Sequence, residues 1–149
     1  MKISNSFNIS SSALTAQRLR MDVISSNIAN ARTTRASMEN GQAVPYRRKT
    51  VVMAPNNVSF GSTLEAAMGQ KPATQGVKIT QITEDPTPFK PVYDPTHPDA
   101  DGEGYVYMPN VDLMKEMVDM ISATRSYEAN ITALNASKAM ISKALQIGK

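Results

Sequence analysis

The amino-acid sequence predicts a mainly α fold with a β-rich middle. Long N- and C-terminal helices pair as a coiled coil, and a small strand/loop segment is inserted between them. Two observations carry this expectation. Both ends of the chain repeat in alternating steps of four and three. One seam is Ile3, Phe7, Ser10, Leu14, Gln17, Met21, Ile24, Ile28 and Ala31; the other is Leu113, Met117, Met120, Thr124, Tyr127, Ile131, Leu134, Lys138, Ile141 and Leu145. That alternation averages about 3.5 residues, the repeat of a coiled coil. The stretch between the seams is instead rich in Pro, Gly, Thr and Asn. The predicted division is therefore an N-terminal helix in 1–34, a β/loop-rich middle in 35–109 and a C-terminal helix in 110–149, the two helices forming one helical core domain.

The first helix is expected to begin after Asn5 or Ser6, both good N-caps, and to end near Asn30, before the polar run Ala31-Arg32-Thr33-Thr34. Val44–Met53 reads as a strand whose start Pro45 confines to an edge or entry position. In residues 77–84 (VKITQITE), Val77 and Ile79 alternate with Lys78 and Thr80, as in a half-buried strand. A short helical stretch fits 62–68. Pro86, Pro88, Pro91, Pro95 and Pro98 read as a stiff extended connector. Tyr105-Val106-Tyr107 is a last short strand before Pro109. The second helix begins near Asn110 or Asp112, with Glu116 adding negative charge where the helix dipole favours it, and runs to about Ile147, with Gly148 as its stop. Beside its seam lie a second apolar lane (Met114, Val118, Ile121) and a third of mostly small residues (Ala123, Ser126, Ala133, Ser137, Met140, Ala144). One partner helix covers one lane; the others call for neighbouring subunits.

Composition narrows the function. The chain has 149 residues, with 10 Met, only 3 Phe and no Trp, so its apolar content suits adaptable helix contacts more than one rigid core. No Cys means no disulfide and no thiolate metal site, and one His (His97) leaves no His cluster. No apolar run reaches the ~18 residues of a membrane span, and the N-terminus lacks the apolar stretch of a secretory signal. The net charge of +3 is concentrated at the start, where residues 1–35 hold five basic side chains and one acidic. Arg18 and Arg20 point in different directions, and no aromatic is interleaved for base stacking, so that charge reads as solvated or facing a subunit rather than nucleic acid.

Local motifs add no chemistry. Asp99–Gly104 imitates the front of a calcium loop, but its twelfth position is Asn110 rather than Glu, and Pro95 and Pro98 stand where the entering helix belongs. His97 in a Pro-rich loop has no nucleophile turn beside it. No phosphate-binding Gly loop is present. Tyr46-Arg47-Arg48-Lys49 reads as an assembly contact. No catalytic, cofactor-binding or metal residue is expected, and no enzyme.

The stretch Leu14–Ala31 (LTAQRLRMDVISSNIANA) resembles the N-terminal signature of bacterial flagellar rod and hook proteins. Tyr93–Ala100, Gly104-Tyr105-Val106, Pro109–Asp112, Glu116–Met120 and Arg125–Asn130 narrow the resemblance to basal-body rod proteins of the proximal rod, across essentially the whole chain. Ser26 and Arg32 stand where the family usually has Asn; neither is on the seam. The resemblance implies a structural subunit exported from the cytoplasm by the flagellar type III apparatus without signal cleavage. It assembles through its terminal helices into the tubular rod of the cell envelope, which transmits torque for motility. The implied partners are other rod subunits, neighbouring copies of itself and the export apparatus, with no nucleic acid and no small-molecule substrate. On this basis Leu14, Met21, Ile24, Ile28, Leu113, Met117, Met120, Tyr127, Ile131, Leu134, Ile141 and Leu145 form the expected assembly seam. Phe60 and Leu64 match the Phe-x-x-x-aliphatic gate signal of rod and hook export substrates, with packing of Phe60 as the plain alternative. A distal rod or hook-type subunit is the nearest other assignment, although a hook protein carries a larger outer domain. A basic nucleic-acid or membrane-surface binder is the assignment from a different class, testable by salt-titrated binding.

Overall fold

A computed structural model describes residues 3–39, 42–56, 61, 64, 67–68 and 76–147, with side chains between Ser6 and Gln146. Helix α1 spans Ile3–Ala29, so it starts ahead of the Asn5–Ser6 cap expected for it. Its first half holds serines and asparagines that are poor helix formers. Two hydroxyls there bond back along the helix: Ser12 Oγ donates to the Ile9 carbonyl at 2.7 Å and Thr15 Oγ1 to that of Ser11 at 3.1 Å. The end is polar and local. The Asn30 amide and side chain both donate to the Ser26 carbonyl, at 3.1 and 2.9 Å, and Thr33 closes the turn onto Asn30.

Among the described residues six short strands follow, in three two-stranded sheets: β1 (Ser37–Glu39) with β2 (Gln42–Val44), β3 (Lys49–Pro55) with β4 (Val77–Glu84), and β5 (Lys90–Tyr93) with β6 (Tyr105–Met108). The β4 bounds match the alternation read from sequence. The single strand expected over Val44–Met53 is instead two, broken at 45–48. Pro45 has no amide hydrogen, the Tyr46 amide donates to the Thr33 carbonyl at 3.0 Å, and the Arg48 amide donates to Asn110 Oδ1 at 2.7 Å, so these donors leave the ladder. Bonds from the Asp85 amide to the Arg48 carbonyl and from the Asn56 amide to the Gly76 carbonyl fix β3 and β4 as antiparallel.

The proline run is a second correction, since part of it is a strand. Pro91 pairs with Tyr107 in an antiparallel register that sets Tyr93 opposite Tyr105. The Asp94 amide donates to the Gly104 carbonyl at 3.0 Å, so Pro91, three residues earlier, falls at a non-hydrogen-bonded pair where its missing donor costs nothing. Gly104 has φ +85°, and a Cβ there would also lie 3.1 Å from the Tyr93 ring, so the turn into β6 requires glycine.

Helix α2 spans Leu113–Ile147. Asp112 is its N-cap, accepting the Met114 and Lys115 amides at 3.0 and 3.3 Å. The expected stop at Gly148 lies outside the described residues. In the stretch expected to be helical at 62–68, the described residues Leu64 and Ala67 are helical, and the Met68 amide donates to the Leu64 carbonyl at 2.9 Å. Two helices with small antiparallel strand pairs between them are thus present, as the sequence predicts.

The chain resolves into two compact units. One comprises Met1–Arg20, Val52–Gln81 and Ala123–Lys149; the other, Met21–Val51 and Ile82–Ser122. In the first, the buried side chains among the described residues are the small Ala16 and Ala123. There Ser12 Oγ also accepts the Val77 amide at 3.1 Å, and a Cβ at Gly76 would come within 2.1 Å of that oxygen, so glycine lets the start of β4 approach α1. In the second, Val23, Ile24, Tyr46, Val106 and Val111 form the apolar core, around two polar residues.

Candidate functional site

Those two polar residues are Asn27, 1% exposed, and Glu116, 0% exposed. Asn27 lies near the end of α1, on the inward line that also carries Val23 and Ile24. Its Nδ2 donates to the Lys49 carbonyl at 2.8 Å and to Glu116 Oε2 at 3.0 Å. Its Oδ1 accepts the Lys49 amide and the Tyr46 hydroxyl, both at 3.0 Å. Both donors and both acceptor positions of the amide are therefore used, and its burial leaves nothing unpaired. The Ser26 hydroxyl sits 3.3 Å from the Tyr46 oxygen and extends the set.

Glu116, in the first turn of α2, takes Arg48 on its other oxygen. Arg48 Nε lies 2.7 Å and Nη2 2.6 Å from Oε1. Arg48 Nη1 reaches Asp85 Oδ2 at 3.3 Å, and Nη2 lies 3.8 Å from Asp119. Asn110 joins the layers: its Oδ1 accepts the Arg48 amide, and its Nδ2 donates to the Asp85 and Thr87 carbonyls at 3.2 and 3.1 Å. Burial opposes the Arg48 charge, but Glu116 and Asp85 outweigh it and push the guanidinium pKa above its usual value. The Thr87 amide and hydroxyl, and then Arg48, hold the Asp85 carboxyl below the usual carboxylate range. A buried pair of this kind is weak evidence for net stability, because desolvation offsets its attraction. Its geometric effect is definite: the end of α1, the entry to β3 and the start of α2 are held in one register.

The seam residues predicted from sequence divide by exposure. Ile24 is buried, and Leu14, Met21, Ile28, Met120, Tyr127, Leu134 and Ile141 are half-buried. Leu113, Met117, Ile131 and Leu145 are exposed, as are Met114, Val118 and Ile121 of the neighbouring lane. The least exposed line of α2 is Glu116, Met120, Ala123, Tyr127, Asn130, Leu134, Ser137 and Ile141, again in steps of four and three. It shares alternate positions with the predicted seam. Phe60 of the expected export signal lies outside the described residues; Leu64 is exposed.

The loop residues are occupied locally. His97 Nδ1 accepts the Asp99 amide at 3.1 Å. Asp94 accepts the Thr96 amide and hydroxyl, which hold its carboxyl below the usual range. Asp99 accepts Thr34 Oγ1 at 2.8 Å and Arg35 Nε at 2.9 Å, and these two lower it likewise. Asp101 accepts the Glu103 and Tyr105 amides, so the calcium-like segment is a turn closed on itself. Arg47 stacks 4.6 Å over Phe89. No group of three His, Cys, Asp or Glu side chains suited to a metal occurs among the described residues.

Sequence reasoning missed Asn27, Tyr46, Arg48, Asn110 and Glu116 as a set, having read Glu116 only as a first-turn charge. The available signal was an amide continuing the buried line of Val23 and Ile24.

Two family models match the chain: "Flagella basal body rod protein" over residues 7–36, which spans the Asn27 line, and "Flagellar basal body rod FlgEFG protein C-terminal" over 103–147, which spans Asn110, Glu116 and α2. Among curated proteins, the flagellar basal-body rod protein FlgC of Bacillus subtilis is 60% identical over 146 residues, covering 97% of each chain. FlgC of Borreliella burgdorferi is 47% identical, covering 99% of this chain and 98% of the relative. FlgC of Salmonella typhimurium is 46% identical over the full length of both.

Proposed function

The chain belongs to the FlgC family of flagellar basal-body rod proteins, and from that membership we propose that its two terminal helices are the elements through which it assembles. It is a structural subunit of the flagellar rod, sits in the flagellar basal body and associates with other rod components. The proteins it is related to are structural rod proteins, and no chemistry is assigned to this chain.

The observation that carries the assembly role is the apolar surface of α2, where Met114 and Val118, 68% and 63% exposed, stand beside Leu113, Met117 and Ile121. Single exposed apolar residues need no explanation, but a contiguous lane of them does. In the assembled rod, the helices of 1–34 and 110–149 form the packed inner domain and pair along the 4–3 seam, and 35–109 form the outer segment. Neighbouring copies and other rod subunits cover the lanes that remain, and the resulting tube transmits torque. The chain reaches the rod through the type III export apparatus without signal cleavage, with Phe60 and Leu64 as its gate signal.

Ile131→Asp tests this. It places a charge on the seam, at a residue already at the surface. Rod formation and swimming should be lost, while the unit holding Asn27 and Glu116 stays folded by hydrogen exchange. Wild-type swimming in cells carrying only this variant would overturn the assignment.

A further inference from the structure

An open groove of about 510 Å³ lies within the second unit, lined by Asp22, Val23 and Ser26 of α1, Lys49 of β3, and Ile82 and Glu84 of β4. Its apolar lining is chiefly Ile82, 45% exposed, on the strand side, with the 9% of core residue Val23 that stays uncovered on the helix side. Each wall also carries a carboxylate: Asp22 from the helix and Glu84 from the strand. The Glu84 side chain is largely exposed, and Arg47 approaches it only to 4.0 Å. The groove thus offers apolar surface between two acidic walls, with Lys49 as its single base.

The far end of α2 has the opposite pattern. From Ala129 to Ile147 the helix carries Lys138 and Lys143 and no acidic residue. At about 100° per residue, Met140, Ala144, Ile141 and Leu145 fall in one continuous arc, with Lys143 at one border and Lys138 at the other. The structure leaves Met140 and Leu145 exposed. An apolar stripe flanked by a base on each side matches an apolar groove flanked by an acid on each side. Both surfaces belong to this chain, so a second copy supplies a matching helix end.

We propose that the groove formed by Asp22, Val23, Ser26, Lys49, Ile82 and Glu84 receives residues 137–146 of α2 from a second copy of the chain. This rests on the chain being a rod subunit that contacts its own copies, and it names one such contact. The carboxylates steer and align the helix end, and burial of Met140 and Leu145 against Val23 and Ile82 holds it.

The chain has no cysteine, so two differently tagged full-length copies, one Ile82→Cys and one Leu145→Cys, can be expressed together and oxidised in isolated basal bodies. Both positions are exposed. A disulfide dimer carrying both tags is expected. Lys138→Glu with Lys143→Glu on the Leu145→Cys copy should lower its yield several-fold, and Asp22→Lys with Glu84→Lys on the other copy should restore it. A dimer yield unmoved by these charge changes overturns the proposal. So does a disulfide formed only when both cysteines share one chain, and so does capture of the Ile82→Cys copy by a different rod subunit alone. The tags report incorporation separately. Copies that enter the basal body without cross-linking overturn the groove alone; copies that stay out of it overturn the rod-subunit assignment, and the groove with it.

Discussion

The Asn27 side chain and the Lys49 backbone bind each other as two paired strands do: Nδ2 donates to the Lys49 carbonyl at 2.8 Å, and Oδ1 accepts the Lys49 amide at 3.0 Å. A helix side chain thereby takes the place of a neighbouring strand at the entry to β3. Because the same amide also holds Tyr46 and Glu116, one residue fixes contacts that lie far apart in sequence.

We predict that Asn27→Ala destabilises the unit by about 2–4 kcal/mol, because it strands a buried carboxylate oxygen, a peptide amide and a peptide carbonyl at once. Urea unfolding of the full chain measures it, and a loss below about 1 kcal/mol would mean that water replaces the amide.

Glu116→Ala leaves Arg48 facing a cavity without its principal counter-charge and should cost about 3–5 kcal/mol. The pair Arg48→Met with Glu116→Leu should cost clearly less than the sum of its single changes. Equal and additive losses in the double-mutant cycle would show that the two residues do not act as a pair.

Acid should weaken this unit. Asp85, Asp94 and Asp99 all have folded pKa values below their unfolded ones, through Thr87, Thr96, and Thr34 with Arg35, respectively. Their stabilisation is therefore complete above the unfolded value of about 3.9 and is lost as pH falls through the depressed folded values. Urea midpoints taken from pH 7 down to pH 3 should decline at the acid end, and Asp85→Asn should flatten that decline. An unchanged slope in Asp85→Asn would remove Asp85 from the account.

Gly76→Ala should loosen the start of β4 from α1. The added methyl would meet Ser12 Oγ at 2.1 Å and Ser12 Cβ at 2.9 Å, too close without movement. Faster amide exchange at Val77 and along residues 6–16 is expected, with partial recovery in Gly76→Ala/Ser12→Gly. Wild-type protection at Val77 would show that the two segments part without cost.

The elements that were legible in the sequence are those with a local period. β4 follows from the alternation of 77–84, and the start of α2 from Pro109 and Asp112. The strand at Lys90–Tyr93 was hidden because five nearby prolines argue against pairing, and only the partner strand reveals that Pro91 sits at a pair needing no donor. The inward line of α2 keeps the predicted 4–3 steps but passes through Glu116, Ala123, Asn130 and Ser137 between the shared positions. A charge and small polar groups give no hydrophobic signal, so the pattern selected Met117, Thr124, Ile131 and Lys138 instead. The members of the Asn27 set are up to 89 residues apart, so no window of sequence holds them together, and the one local sign is the amide that continues the line of Val23 and Ile24.

That separation orders events in time. A chain that emerges from a ribosome or threads a channel N-terminus first presents Asn27 and Lys49 early, while Glu116 arrives only in its last quarter. Until then Arg48 has no buried carboxylate to meet, and the amide of Asn27 keeps one donor for water. In either case the buried carboxylate is the last member of the set to arrive, and the lock on the second unit closes only with it.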